Sequence, residues 1–241
     1  AEFIVNTTPV GMYPVIGESP IDLNAFTKLE AVVDAVYNPL RSRLVSDALE
    51  KKIPAVGGLY MLVAQAARAC ELFIDVKISE DKILEVYKKI LKKTENVVLI
   101  GMPASGKTTV GKAVAKALGM NFVDCDEEIV KSEGKAIPDI FAENGETFFR
   151  QLEADTVKRL SAMKNTVIAT GGGAILNPDN MRLLRENGRI YFLDRQLEKL
   201  LPTSDRPTAN SREALERRYR ESYPIYCSPC DVQIRASDDA E

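Results

Sequence analysis

The stretch Gly101-Met102-Pro103-Ala104-Ser105-Gly106-Lys107-Thr108 decides how this chain folds, because it fits the phosphate-loop pattern Gly-x-x-x-x-Gly-Lys-[Ser/Thr] at each specified position. Its flanks have the required character. Asn96 to Ile100 is an apolar, β-branched run, and Val110 to Leu118 repeats apolar residues at helical spacing, so the loop sits between a strand and a helix. Gly101 and Gly106 let backbone amides turn inward around phosphate oxygens. Lys107 reaches the β- and γ-phosphates, and the Thr108 hydroxyl ligates magnesium. The helix N-terminus adds partial positive charge. A nucleoside triphosphate is therefore expected against Gly101 to Thr109.

Composition narrows what else the chain does. Its 241 residues suffice for one large domain or two small ones. A net charge of −3 and a pI near 5.4 argue against general nucleic-acid binding, whose electrostatic footprint is basic. No apolar run approaches a membrane span, and Ala1-Glu2-Phe3-Ile4-Val5 lacks the pattern of a signal peptide, so a cytoplasmic protein without membrane or nucleic-acid partners is expected. Cys70, Cys125, Cys227 and Cys230 are too sparse for a disulfide framework, and the lone Cys227-x-x-Cys230 pair falls short of a zinc site. Histidine is absent altogether. Chemistry must then run on carboxylates, cations, backbone amides and metal.

Outward from the loop, segments near Val97–Gly101, Asn121–Asp124, Thr166–Thr170, Arg189–Leu193 and Asp231–Arg235 read as five strands of a parallel sheet wrapped by helices. Asp124 and Asp126 fall at the C-terminal end of the second, where ligands collect in such sheets. If the strand continues through both, they share a face, one for magnesium and one for a substrate hydroxyl; alternatively one of them caps a helix starting at Glu127. Arg150, after Phe148 and Phe149, is either a snorkelling surface cation or a planar fork for a substrate carboxylate. Gly171, Gly172 and Gly173 follow an apolar strand and either make a flexible turn or admit a ligand to backbone amides. Leu201 to Asn210 reads as a polar lid carrying Arg206, ahead of an arginine-rich helix from Ser211 to Glu221.

The N-terminal half alternates strand and helix: strands at Phe3–Val5 and Ala31–Tyr37, a helix around Leu44–Lys51, Gly57-Gly58, and an amphipathic helix from Leu59 to Phe73. Ser79 to Lys93 reads as a capped surface helix with acidic residues first and lysines last. The expected organisation is a partial Rossmann-like α/β segment over residues 1–78, a linker helix over 79–95, and a P-loop domain over 96–241.

Two resemblances follow. Asn6-Thr7-Thr8-Pro9-Val10-Gly11-Met12, Asp34 to Leu40 and Gly58 to Gln65 look like consecutive motifs from the C-terminal portion of shikimate dehydrogenase, which would place Met12 and Gly58 near a nicotinamide and Gln65 near shikimate. That family's catalytic Lys and Asp and its dinucleotide turn are not in this stretch, so no dehydrogenase activity is expected from it. The ordered set of P-loop, Asp124-x-Asp126, Phe149-Arg150, Gly171-Gly172-Gly173, Arg206-Pro207 and Pro224-Ile225-Tyr226 resembles shikimate kinase, a P-loop fold of the nucleoside-monophosphate-kinase type. This resemblance implies phosphorylation of shikimate with ATP and Mg2+ by a monomeric kinase domain, from a dehydrogenase–kinase fusion. It implies that Lys107, Asp126 and Arg206 are catalytic, and that Thr108 and Asp124 serve the metal. Asp126, Arg150, Gly171, Gly172 and Gly173 would bind shikimate. Gly101, Met102, Pro103, Ala104, Ser105, Gly106, Lys107, Thr108 and Thr109 would bind the nucleotide. Alternatives are another small-metabolite kinase on the same scaffold, against which Arg150 and the three glycines argue, and a nucleotide-binding module of weak catalysis.

Two features depart from the kinase pattern. Where the family carries an arginine two positions before the proline of Pro-x-Tyr, this chain has Ser222. Loss of one charge-assisted hydrogen bond costs about 1.5 to 3 kcal/mol, and Arg218, one helical turn earlier, is a candidate to compensate. The family's final helix would also lie past Glu241.

Overall fold

A computed structural model describes residues 1–200, 211–228 and 230–235. The chain divides into two compact units, 1–95 and 96–241.

In the first unit, β1 (Phe3–Asn6), β2 (Ala31–Asp34) and β3 (Ala55–Val56) form a parallel sheet in that order. Helix α1 (Arg43–Glu50) is capped by Ser42, whose hydroxyl accepts from the Val45 amide. It lays Leu44 and Ala48 on Val32 and Leu23 to make a small core. Asp34 ties the unit together. Its Oδ1 accepts from Asn6 Nδ2 at 2.9 Å and from the Val36 amide at 3.0 Å, while Oδ2 accepts from Ser42 Oγ at 2.5 Å. Helix α2 (Leu59–Ile74) begins at Gly58, where an added Cβ would lie 2.1 Å from the Ala35 carbonyl oxygen; close backbone approach excludes any side chain there. Gln65 is exposed on α2. Helix α3 (Glu80–Thr94), capped by Ser79, packs along α2 through the edge-to-face pair Tyr60 and Tyr87, and Tyr60 donates to Glu80.

The second unit runs β4 (Asn96–Ile100), α4 (Lys107–Leu118), β5 (Asn121–Asp124), α5 (Cys125–Glu133), α6 (Ile137–Ser161), β6 (Thr166–Ala169), α7 (Pro178–Asn187), β7 (Gly188–Asp194), α8 (Arg212–Cys227) and β8 (Val232–Arg235). All five strands are parallel, in the order β5-β6-β4-β7-β8. Strand alternation sends Val98 and Ile100 to one face, against Val157, Leu160, Leu184, Leu215 and Tyr226, and Leu99 to the other, against Ala115. The central strands β4, β6 and β7 are thus buried on both faces, which is why they read as apolar runs. Trimming a fully buried residue such as Ile168 to alanine costs about 2 to 5 kcal/mol.

Topology positions the site. From β4 the chain crosses to β5, returns to β6 beside β4, and then goes to β7 on the opposite side. The direction of winding therefore reverses at β4, and in such sheets the crevice beyond the strand C-termini at that point takes ligands.

Two local expectations change. The strand does not continue through Asp126: the Asp124 side chain accepts from the Asp126 amide at 2.9 Å, and this cap turns the chain into α5 at Cys125, two residues before the expected helix start. Helix α8 also runs past Glu221 to Cys227 with Pro224 inside it. The carbonyl that Pro224 leaves without a helical partner belongs to Arg220, an exposed residue whose backbone water can satisfy.

Candidate active site

The phosphate loop joins β4 to α4, and its backbone is forced. Gly106 takes φ 94° at the start of α4, and Ala104 takes φ 63°. A left-handed alanine is strained, and such strain persists where the surroundings fix a ligand-binding turn. An added Cβ at Gly101 would lie 2.8 Å from both the Leu193 carbonyl oxygen and Ser105 Oγ. Lys107 is only 5% exposed and folds its ammonium back across the loop, donating to the Gly101 oxygen at 2.9 Å and the Met102 oxygen at 2.8 Å. Ser105 Oγ is buried without a hydrogen-bond partner among the described residues. Thr109 is exposed on the first turn of α4.

Thr108 and Asp124 meet beside the loop. Thr108 Oγ1 donates to Asp124 Oδ2 at 2.7 Å, while Asp124 Oδ1 is taken by the α5 cap. One carboxylate therefore faces the phosphate loop with a single oxygen. Asp126 stands on the first turn of α5 instead of in the strand.

The second cluster gathers at Gly171 to Gly173, after β6. An added Cβ at Gly171 would sit 2.6 Å from Asp126 Oδ1 and 2.8 Å from Glu153 Oε1; at Gly173 it would sit 2.0 Å from Arg150 Nη1. At Gly172 it would meet the Pro103 ring at 2.9 Å. The turn is glycine because α5, α6 and the phosphate loop all close on it. Its Gly172 carbonyl accepts from the Tyr226 hydroxyl at 2.6 Å, and Tyr226 stacks on Phe192, so α8 buttresses the same turn.

Arg150 is held rather than loose. Helix α6 breaks at Gly145, at φ 81°, and the stretch beyond it carries Glu146, Arg150 and Glu153 on one side. Arg150 Nη1 donates to Glu153 Oε2 at 2.9 Å and Nη2 to Glu146 Oε1 at 2.8 Å. Burial opposes the Arg150 charge, yet Glu153 and Glu146 hold its pKa above the ordinary guanidinium value. Burial pushes the Glu153 carboxyl up, and Arg150 pulls it part of the way back. The Cys125 thiol is pushed well up by burial and by Asp126 and Asp124, so it stays protonated and inert.

Glu153 is the functional candidate missing from the sequence reading. Its signal is a carboxylate on the buried stripe Phe149, Glu153, Thr156, Val157 and Leu160, where helical spacing calls for an apolar residue. Arg206 lies outside the described residues.

The shikimate kinase family model matches residues 103–241, which include the phosphate-loop residues from Pro103 onward, the glycine turn and α8. The chain belongs to the shikimate kinase family. A shikimate kinase from Caldicellulosiruptor bescii is 41% identical over 147 residues, covering 58% of this chain and 85% of that protein. The structure of shikimate kinase from Acinetobacter baumannii in complex with shikimate is 31% identical, covers 63% of this chain and 89% of its own, and has a TM-score of 0.59. A chorismate mutase/shikimate 5-dehydrogenase fusion protein from Clostridium acetobutylicum is 40% identical and covers 36% of this chain and 33% of its own, with a TM-score of 0.35. Among the described residues no helix is long and apolar enough to cross a membrane.

Proposed function

We propose that this chain transfers the γ-phosphoryl group of ATP to shikimate, giving shikimate 3-phosphate and ADP. The observation that carries this is the contact between the two clusters at Gly172 and Pro103, which sets a carboxylate-and-guanidinium pocket against a phosphate loop. Phosphoryl transfer needs positioning and charge neutralisation more than covalent catalysis, and these are what the residues supply.

The loop amides and Lys107 hold the nucleotide phosphates, with Lys107 exchanging the Gly101 and Met102 carbonyls for phosphate oxygens. The unpartnered Ser105 hydroxyl supports a ligand at the same loop. Thr108 and Asp124 offer hard oxygen donors suited to Mg2+, and among the described residues no group of three or more acidic, cysteine or histidine side chains forms a self-sufficient metal cage. That fits Mg2+, which keeps waters and takes substrate phosphates as ligands. Bound there, it would neutralise charge on the β- and γ-phosphate oxygens. Asp126 accepts the proton of the attacking shikimate hydroxyl as its oxygen bonds to phosphorus and the bond to the ADP oxygen breaks. Arg150 grips the substrate carboxylate with its planar fork, oriented by Glu153, and the three glycines leave room for the ring. Arg206 is assigned as the lid cation on the phosphates. The kinase part acts as a monomer in the cytoplasm.

Residues 1–78 are read as the C-terminal part of a shikimate dehydrogenase, which makes the chain a piece of a bifunctional enzyme whose first product feeds its second site. Its support is the three ordered motifs. In this chain it is not expected to reduce a nicotinamide cofactor with shikimate, which an absorbance assay at the reduced-nicotinamide band tests. For the kinase, 31P NMR of the product decides: a new phosphomonoester on the 3-oxygen of shikimate is expected, and phosphorylation elsewhere or of no acceptor contradicts it.

A further inference from the structure

Helix α8 turns a buried stripe of Leu215, Ser222 and Tyr226 toward the sheet and the glycine turn, and Arg218 stands on that stripe between Leu215 and Ser222. Its Nε is shielded from water and has no hydrogen-bond partner among the described residues. The Arg218 charge nevertheless acts on Glu153, the buried carboxylate that orients Arg150. Glu153 keeps one oxygen, Oε1, unpartnered among the described residues, and that oxygen lies against Gly171. Two guanidinium groups, from α6 and from α8, therefore bear on one carboxylate at the edge of the pocket. Their occupancy differs: Arg150 spends its donors on Glu146 and Glu153, whereas the Arg218 Nε donor is unspent. A buried donor without an acceptor is rare in folded proteins and calls for a ligand or a water. One turn further along, Ser222 is buried at 1% exposure and offers only an uncharged hydroxyl.

We propose that Arg218 is a substrate-binding residue, donating to the carboxylate of the hydroxy acid together with Arg150, and that it supplies the charge which Ser222 does not. This rests on the kinase reading above and adds to it the residue that selects for an acid.

The test is steady-state kinetics of the whole chain at saturating ATP, with shikimate and shikimate carboxamide as alternative acceptors. Arg218→Gln keeps the stem and a neutral donor. It is expected to raise the KM for shikimate about tenfold to a hundredfold, to leave the KM for ATP within about twofold, and to lose most of the preference for acid over amide. Arg218→Ser combined with Ser222→Arg is expected to recover much of that preference. A shikimate KM within twofold of wild type in Arg218→Gln overturns the proposal. So does an equal loss on acid and amide, which would make Arg218 a structural residue. Absence of shikimate-dependent turnover in the wild type defeats the kinase reading instead, so the two failures are distinct.

Discussion

Asp34 and Asp124 are each the last residue of a parallel strand, β2 in the first unit and β5 in the second, and both are buried. Their partners differ. Asp34 is closed in by Asn6, Ser42 and the Val36 amide, all from its own unit, and is 0% exposed. Asp124 gives one oxygen to the α5 cap and the other to Thr108 of the phosphate loop. The same place in an α/β sheet thus carries a fastener in one unit and, in the other, a carboxylate turned to the phosphate loop. Position at a strand end marks where ligands collect in such sheets, but the partners decide whether a carboxylate meets one.

The largest effect should separate the units outright. Asp126→Asn removes the proposed proton acceptor and is expected to lower kcat by about a hundredfold to ten-thousandfold with the fold intact. Asp34→Ala, by contrast, leaves Asn6 and Ser42 buried without their acceptor. It should weaken the first unit by about 2 to 3 kcal/mol, read as lost hydrogen-exchange protection at the Val36 and Val45 amides, while kinase kcat stays within about twofold. A comparable fall in kcat would make Asp34 part of the kinase site and erase the contrast.

A smaller effect probes the glycine turn. Gly173→Ala places a Cβ on the Arg150 guanidinium, and is expected to raise the shikimate KM about tenfold while sparing the ATP KM. An unchanged shikimate KM would leave the turn as a mere connector. The smallest is a pH effect. Because burial raises the Glu153 pKa, Glu153 takes up its proton above the usual carboxylate range. As pH falls through that raised value Glu153 becomes neutral while Arg150 keeps its charge, so the ion pair that orients Arg150 is lost and the shikimate KM should climb a few-fold; Glu153→Gln should flatten the profile.

Much of the second unit was legible because its signals are local. The phosphate loop needs fixed residue types at fixed spacing, and buried parallel strands show as apolar runs, so β6 begins at Thr166 as read. What escaped was either a choice between two local courses that the residue types alone leave open, or a contact with a partner distant in sequence. The Asp124 cap ended β5 before Asp126, although composition allowed either course. Pro224 concealed the last turn of α8 because a lone proline stops a helix in most settings, and an exposed Arg220 relieves that here. Glu153 was hidden because its value comes from Gly171 and Arg150, the former eighteen residues along the chain and in contact only once β6 stands beside β5. Its charge on an apolar stripe was the available clue.

The most direct measurement is ADP release from magnesium-ATP with and without shikimate, using Lys107→Ala as the blank. Shikimate-dependent release that vanishes in Lys107→Ala is the predicted result. Bound ATP with no stimulation by shikimate, or stimulation that survives the loss of Lys107, would contradict it.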